Sequence, residues 1–177
     1  RIKPGDKVIV TGQVGDHGLA ILAQREGLSF GTPALSDCAP LVGLEGIMNR
    51  YGGSIRCMRD PTRGVLATAL NEIAAQSGRG IRVREADIPI SPVVQGACDM
   101  LGMDPLYMAN EGKMIIFAAS ECAADILSDL RRLPGMENAA VIGSVIPEPA
   151  GMVLIETELG ADRILGILEG EHIPRIC

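Results

Sequence analysis

Three consecutive runs decide the fold: Lys7-Val-Ile-Val-Thr11, then Gly12-Gln-Val-Gly15-Asp16-His17-Gly18, then Leu19-Ala-Ile-Leu-Ala-Gln-Arg-Glu26. The first is β-branched and bounded by glycine, as a strand requires, and the third has apolar residues at helical spacing. The unit is therefore strand, glycine-rich loop, helix. Asp16 is expected to be the N-cap, its carboxylate accepting from the free N–H groups of the first turn. Such a loop aims backbone N–H groups and a helix N-terminus at an anion, or it is a plain capped turn; the glycines alone fit both.

Working outward, a polar connector runs through Ser36-Asp37-Cys38, and residues 40–51 read as a helix stopped by Gly52-Gly53. A strand at 54–58 leads into Met58-Arg59-Asp60-Pro61-Thr62-Arg63-Gly64-Val65. Here Asp60 suits a cap and Pro61 a first helical position. Val65, Leu66, Ala69, Leu70, Ile73 and Ala74 form an apolar stripe down to Gly78. Arg63 would then stand in a first turn, where the macrodipole disfavours a cation, and an anionic visitor explains it better than solvation does. Residues 81–85 alternate like a half-buried strand, Ser91-Pro92 opens a helix that ends at Gly102, and Asp104-Pro105 turns the chain. Asn110-Glu111-Gly112-Lys113 places three polar side chains between apolar runs, either a strand edge carrying a carboxylate for chemistry or a polar turn. Ser120 is expected to cap a helix to Leu133, and 140–146 with 152–157 read as a hairpin. Helices alternating with strands, plus short β-β links, imply an α/β (α+β) domain: a mixed sheet covered by helices.

The composition narrows the function. With 177 residues and 47% hydrophobic content, one core is expected. The chain begins at Arg1 and enters a strand almost at once, so it reads as a fragment lacking an N-terminal partner domain. A net charge of −6 with two Tyr, two Phe and no Trp argues against a nucleic-acid surface. There is no membrane-length apolar run, so a cytoplasmic protein is expected. Five cysteines cannot all pair within the chain and none form Cys-x-x-Cys, so no metal site is expected. Cys57, Cys98 and Cys122 read as small buried hydrophobes. At the other end, Gly170-Glu-His-Ile-Pro-Arg-Ile-Cys177 reads as a semi-stiff arm, because Pro174 fixes its own φ and extends the residue before it. Cys177 is then either a thiol carried on a travelling arm, with Arg175 favouring its thiolate, or simply the last residue. The arm is expected to lie extended, with Cys177 exposed and unpaired.

Taken together, Gly-Asp-His-Gly at 15–18, Met-Arg-Asp-Pro-Thr-Arg-Gly at 58–64, Leu-Asn-Glu-Ile-Ala at 70–74, Asp-Pro-Leu-Tyr-Met-Ala-Asn-Glu-Gly-Lys at 104–113 and Pro-Arg-Ile-Cys at 174–177 carry a resemblance. The chain resembles the second half of the HypE family of hydrogenase maturation factors. That family lies within the superfamily of aminoimidazole ribonucleotide synthetase and selenophosphate synthetase. The resemblance implies a synthetase-like C-terminal domain over residues 1–169, an acceptor arm at 170–177, and an ATP-binding N-terminal domain outside this chain. It implies a carbamoyl dehydratase. Cys177 receives a carbamoyl group from the carbamoyltransferase HypF, ATP activates the amide oxygen, and the resulting thiocyanate passes its cyano group to iron on a HypC-HypD scaffold for the [NiFe] centre. Glu111 is implied as the base, and Asp60, Thr62, Arg63 and Gly64 as the residues facing the nucleotide phosphates. ATP and Mg²⁺ would be held mainly by the other domain, the intact protein would be a homodimer, and this chain alone would not turn over. One departure is visible: Val65 stands where the family carries a second glycine. Two competing readings are a non-catalytic docking module for maturation partners and a selenophosphate synthetase-like ATP-dependent enzyme, for which a terminal cysteine has no job.

Overall fold

The computed structural model describes residues 1–61 and 65–167. Along the chain come β1 (Lys7–Val10), α1 (Asp16–Glu26), α2 (Leu44–Tyr51), β2 (Ile55–Arg59), α3 (Leu66–Ser77) and β3 (Gly80–Arg84). Then follow α4 (Pro92–Leu101), β4 (Ile115–Ala118), α5 (Ala123–Leu130), β5 (Ala140–Ile146), β6 (Val153–Glu156) and β7 (Asp162–Ile164). One mixed sheet takes all seven strands in the order β2-β4-β1-β5-β3-β6-β7, with β3 and β6 parallel and the other pairs antiparallel. The α/β architecture implied by the alternation of helices and strands is the one the chain forms.

Both faces of the sheet are buried, which is why its central strands are apolar runs rather than alternating ones. Val8, Val10, Ile115, Phe117, Ile81, Val83, Val153 and Ile155 pack with the α3 stripe of Leu66, Leu70, Ile73 and Ala74. Ile9, Ile116 and Ala118 point the other way, toward Leu44 and Ile47 of α2 and Ala123, Ile126 and Leu130 of α5. Phe117, with no exposed surface, alone contributes roughly 1.5–3 kcal/mol by leaving water. A third, smaller cluster of Leu19, Val94, Ala97, Cys98 and Met108 joins α1 to α4 beside the sheet.

The pairings orient the strands in a way that matters for function. β1, β2, β3 and β6 all run in one direction, so their C-terminal ends share one edge of the sheet with the start of β4. Val10 and Arg59 both pair with Ile115 there.

Several local expectations need correction. Asp16 is the first residue of α1, not its N-cap; Gly15 occupies that position with φ 90, and no side chain caps the helix. The helix expected from residue 40 begins only at Leu44. α3 begins at Leu66, so Asp60 and Pro61 do not start it, and the expected first-turn position of Arg63 lies outside the described residues. Ser120 caps nothing: α5 spans Ala123–Leu130 with Cys122 at its N-cap. The supposed hairpin of β5 and β6 is not one, because β3 lies between them. The bend after β5 crosses the start of β3, where Gly80 leaves room: a Cβ there would sit 2.7 Å from the Pro149 carbonyl oxygen. The true hairpin is β6 with β7, whose exposed and largely polar strand carries little sequence signal. By contrast Ser91 caps α4 as expected, accepting from the Val94 N–H at 3.3 Å, with Gly102 closing the helix in the left-handed conformation. Cys98 is buried, whereas Cys57 and Cys122 are only partly so.

Candidate functional site

Three segments converge on the shared strand edge: the glycine loop after β1, the connector at 36–39, and the loop at 109–114 that leads into β4. The sequence brings each there for a local reason. Thr11 continues β1 and holds the loop across from it, its N–H donating to the Met114 carbonyl at 3.0 Å and its hydroxyl oxygen accepting from the Met114 N–H at 2.9 Å. Asn110, fully buried, accepts from the Gly15 N–H through Oδ1 at 2.8 Å and donates through Nδ2 to the Met108 carbonyl at 3.0 Å. The Gly18 N–H donates to the Ala109 carbonyl at 2.9 Å. The glycine loop therefore directs two of its N–H groups at the 109–114 loop and its Asn110.

The connector closes the arrangement from the other side. Lys113 Nζ lies 2.9 Å from Asp37 Oδ2, with side-chain exposures of 6% and 9%. This is an ion pair rather than a well-directed hydrogen bond, and among the described residues neither Asp37 oxygen receives a hydrogen-bond donor. His17 Nδ1 and Ser36 Oγ share a hydrogen bond at 2.8 Å, and the Cys38 N–H donates to the same Ser36 oxygen at 3.2 Å. Asp16 Oδ1 accepts from Ser91 Oγ at 2.8 Å. Its carboxyl is raised above the ordinary aspartate value chiefly by burial, with the nearby Asp37 charge adding to the rise; the Ser91 hydrogen bond and Lys113 oppose it.

Of the residues implied by the sequence, Glu111 lies on this edge, partly exposed, between buried Asn110 and buried Lys113. Asp60 is exposed and lies on the same edge, one residue past Arg59, where β2 leaves the sheet. Thr62, Arg63, Gly64 and Cys177, with the whole arm at 170–177, lie outside the described residues. Val65, where the family's second glycine was expected, has φ 27 and is the one non-glycine of positive φ among the described residues. The residues that sequence reasoning passed over are Asn110, named only as part of a polar turn, and Asp37, named only as connector.

The donor set bears on nucleotide binding. Of the cations nearest this edge, Arg59 is paired with Glu72 at 2.5 Å and Lys113 with Asp37. The remaining acidic or basic side chains described there are the carboxylates Asp16, Asp60 and Glu111 and the imidazole of His17, which is hydrogen-bonded to Ser36. They do not by themselves form a cradle for a polyphosphate. A cavity of about 500 Å³ further along the sheet, lined by Glu85, Ile88, Ile90, Asp104, Leu106 and Glu158, is rimmed with acid and suits an anion no better. The thiols differ in readiness: Cys38 is exposed, while Cys98 is buried and its thiol is pushed up to about 11 by desolvation and by Asp104 and Asp99.

A mixed sheet with α3 on one face, α2 and α5 on the other, and glycine-bearing loops gathered on one edge is the architecture of a synthetase C-terminal domain. Residues 3–156 match the family "AIR synthase related protein, C-terminal domain", and the chain belongs to it. Within it, the chain is 47% identical to the carbamoyl dehydratase HypE of Rhizobium leguminosarum bv. viciae over 176 residues, covering 99% of this chain and 50% of that protein. Its backbone superimposes on a crystal structure of the hydrogenase maturation protein HypE in complex with ATP (TM-score 0.93, 46% identity, 100% of this chain and 54% of that one). It also superimposes on a crystal structure of a HypE-HypF complex (TM-score 0.89, 40% identity, 94% of this chain and 54% of that one). The chain thus spans about half the length of the curated relatives it matches. Thiamine monophosphate kinase, at 19% identity and a TM-score of 0.57, shares the fold alone.

Proposed function

We propose that this chain is the C-terminal half of a HypE-type carbamoyl dehydratase, a cytoplasmic enzyme that converts a carbamoyl group on Cys177 into a thiocyanate. The observation that carries the reading is the match to HypE along essentially the whole chain, 99% of it at 47% identity. The ends of β1, β2 and β4 support it by gathering the glycine loop, Asp60 and Glu111 on one edge.

The chemistry divides as follows. Cys177 carries the carbamoyl group as a thiolate would carry any acyl group. ATP, when bound, supplies the phosphoryl group that makes the amide oxygen a leaving group. Because the described residues of this edge offer the phosphates no unpaired Lys or Arg, the nucleotide is assigned to Thr62, Arg63 and Gly64 and chiefly to the rest of the longer protein. That remainder would also hold most of the Mg²⁺ ligands, with Asp60 a carboxylate available to the metal from this edge. Both N–H protons must leave, one as the amide oxygen is phosphorylated and the other as phosphate departs and the carbon–nitrogen triple bond forms. Glu111 is the base for them, a role that needs a partly exposed carboxylate held in place. HypF delivers the carbamoyl group, a HypC-HypD scaffold receives the cyano group, and the intact protein works as a homodimer.

The test is Glu111→Gln in the full-length protein. Cys177 should still become carbamoylated, and its ATP-dependent conversion to thiocyanate should slow by about 10²–10⁴-fold, the usual weight of a general base. Unslowed conversion would remove Glu111 from the mechanism.

A further inference from the structure

Glu111 is bracketed by two anchors. On its N-terminal side, Asn110 is fully buried and ties the loop to the Gly15 N–H at 2.8 Å. On its C-terminal side, Lys113 is buried against Asp37 at 2.9 Å. Between Glu111 and Lys113, Gly112 has φ +60 and lies so close to the connector that a Cβ on it would sit 2.5 Å from the Asp37 carbonyl oxygen and 2.6 Å from the Ala39 nitrogen. The Lys113 stem is itself confined, since a Cβ on Gly12 would meet its Cε at 2.8 Å.

Two features argue against Lys113 being there to meet a ligand. Its side chain is only 6% exposed, and its ammonium already faces a carboxylate. Nor is the pair an economical way to stabilise a fold, because burying two charges costs desolvation that an apolar pair of similar volume avoids. Asp37 in addition goes without any hydrogen-bond donor among the described residues. A buried charge pair kept at that cost, with crowding on both sides, defines geometry. We propose that Lys113, acting through Asp37, is a positioning residue that fixes the Glu111 loop against the connector and the glycine loop, so that the carboxylate of Glu111 stands at a set distance from the carbamoyl group. This rests on the carbamoyl dehydratase reading for what Glu111 does, though not for the lock itself.

The experiment uses the full-length protein and compares Lys113→Met, Asp37→Asn and the double variant. Lys113→Met leaves Asp37 buried and uncompensated, so stability and activity should both fall. The double variant buries no charge, so its Tm should recover toward wild type. Its rate of thiocyanate formation should remain about 100-fold low, the weight of a displacement near 1 Å, with KM for ATP unchanged. Amide exchange in 109–113 should quicken in both proteins that carry Lys113→Met. A merely structural pair predicts otherwise, with rate recovering alongside Tm in the double variant, and that result would overturn the proposal. If wild-type protein forms no thiocyanate with ATP, the functional reading has failed, and the exchange arm alone judges the lock. Quickened exchange confined to 109–113 and the loops it touches supports it, and unchanged exchange refutes it.

Discussion

Gly112→Ala isolates the packing of the Glu111 loop, because its cost divides into two parts. An L side chain at φ +60 costs about 1–2 kcal/mol for the left-handed conformation alone. The new Cβ would also stand 2.5 and 2.6 Å from two backbone atoms of the connector. Neither contact is with the tip of a flexible side chain, so a backbone segment must shift, at about 1–3 kcal/mol for overpacking of this kind. The sum is about 2–5 kcal/mol, a fall in Tm of roughly 4–20 °C at this chain length. Gly27 supplies the control. It has nearly the same φ, +64, with nothing within 4 Å of a built Cβ, so Gly27→Ala should cost the conformational part only, about 1–2 kcal/mol. Thermal and urea unfolding of both variants measure the difference. Equal destabilisation would show that the connector does not press on the loop, and the picture of Glu111 held between Asn110 and Lys113 would fall with it.

Two further substitutions test the same edge. Val65 at φ 27 carries strain of about 1–3 kcal/mol, so Val65→Gly should release roughly what it loses in chain entropy and apolar contact, leaving stability within about 1 kcal/mol of wild type; a loss above about 3 kcal/mol by urea unfolding would mean that the residue is not strained. For Asp16, burial raises the folded-state carboxyl above its unfolded value, so the folded chain holds its proton longer and loses stability as pH climbs from the ordinary aspartate range through the raised one. Asp16→Asn abolishes that loss, and its stability relative to wild type should therefore improve as pH rises through the carboxylate range, as read by unfolding at a series of pH values; a flat difference would contradict it.

Much of the fold was legible because its signals are local. The β-branched run at Lys7–Val10, the Ser91-Pro92 start and Gly102 stop of α4, and the apolar stripe of α3 each act within a few residues of where they are written. Strand pairing is not local. The link between β5 and β6 contains proline and glycine and reads as a hairpin turn, yet β3 is the better partner for both strands, since its Ile81 and Val83 fill the core beneath them. Helix starts were misread where a capping residue type was present but the chain took another course, as with Asp16, Asp60 and Ser120. Glu111 drew notice because a carboxylate between apolar runs is conspicuous. Its supports did not, because the Asp37–Lys113 pair joins residues distant in sequence, and nothing about a connector aspartate announces that it will be buried.

The central claim concerns Cys177, and the most direct measurement is the mass of its C-terminal peptide. Full-length protein would be incubated with HypF and a carbamoyl donor, then with or without ATP, and digested. The account predicts a carbamoyl adduct on Cys177 without ATP and its replacement by a thiocyanate when ATP is added. No adduct on Cys177, or the same ATP-dependent product from the Cys177→Ala variant, would contradict it.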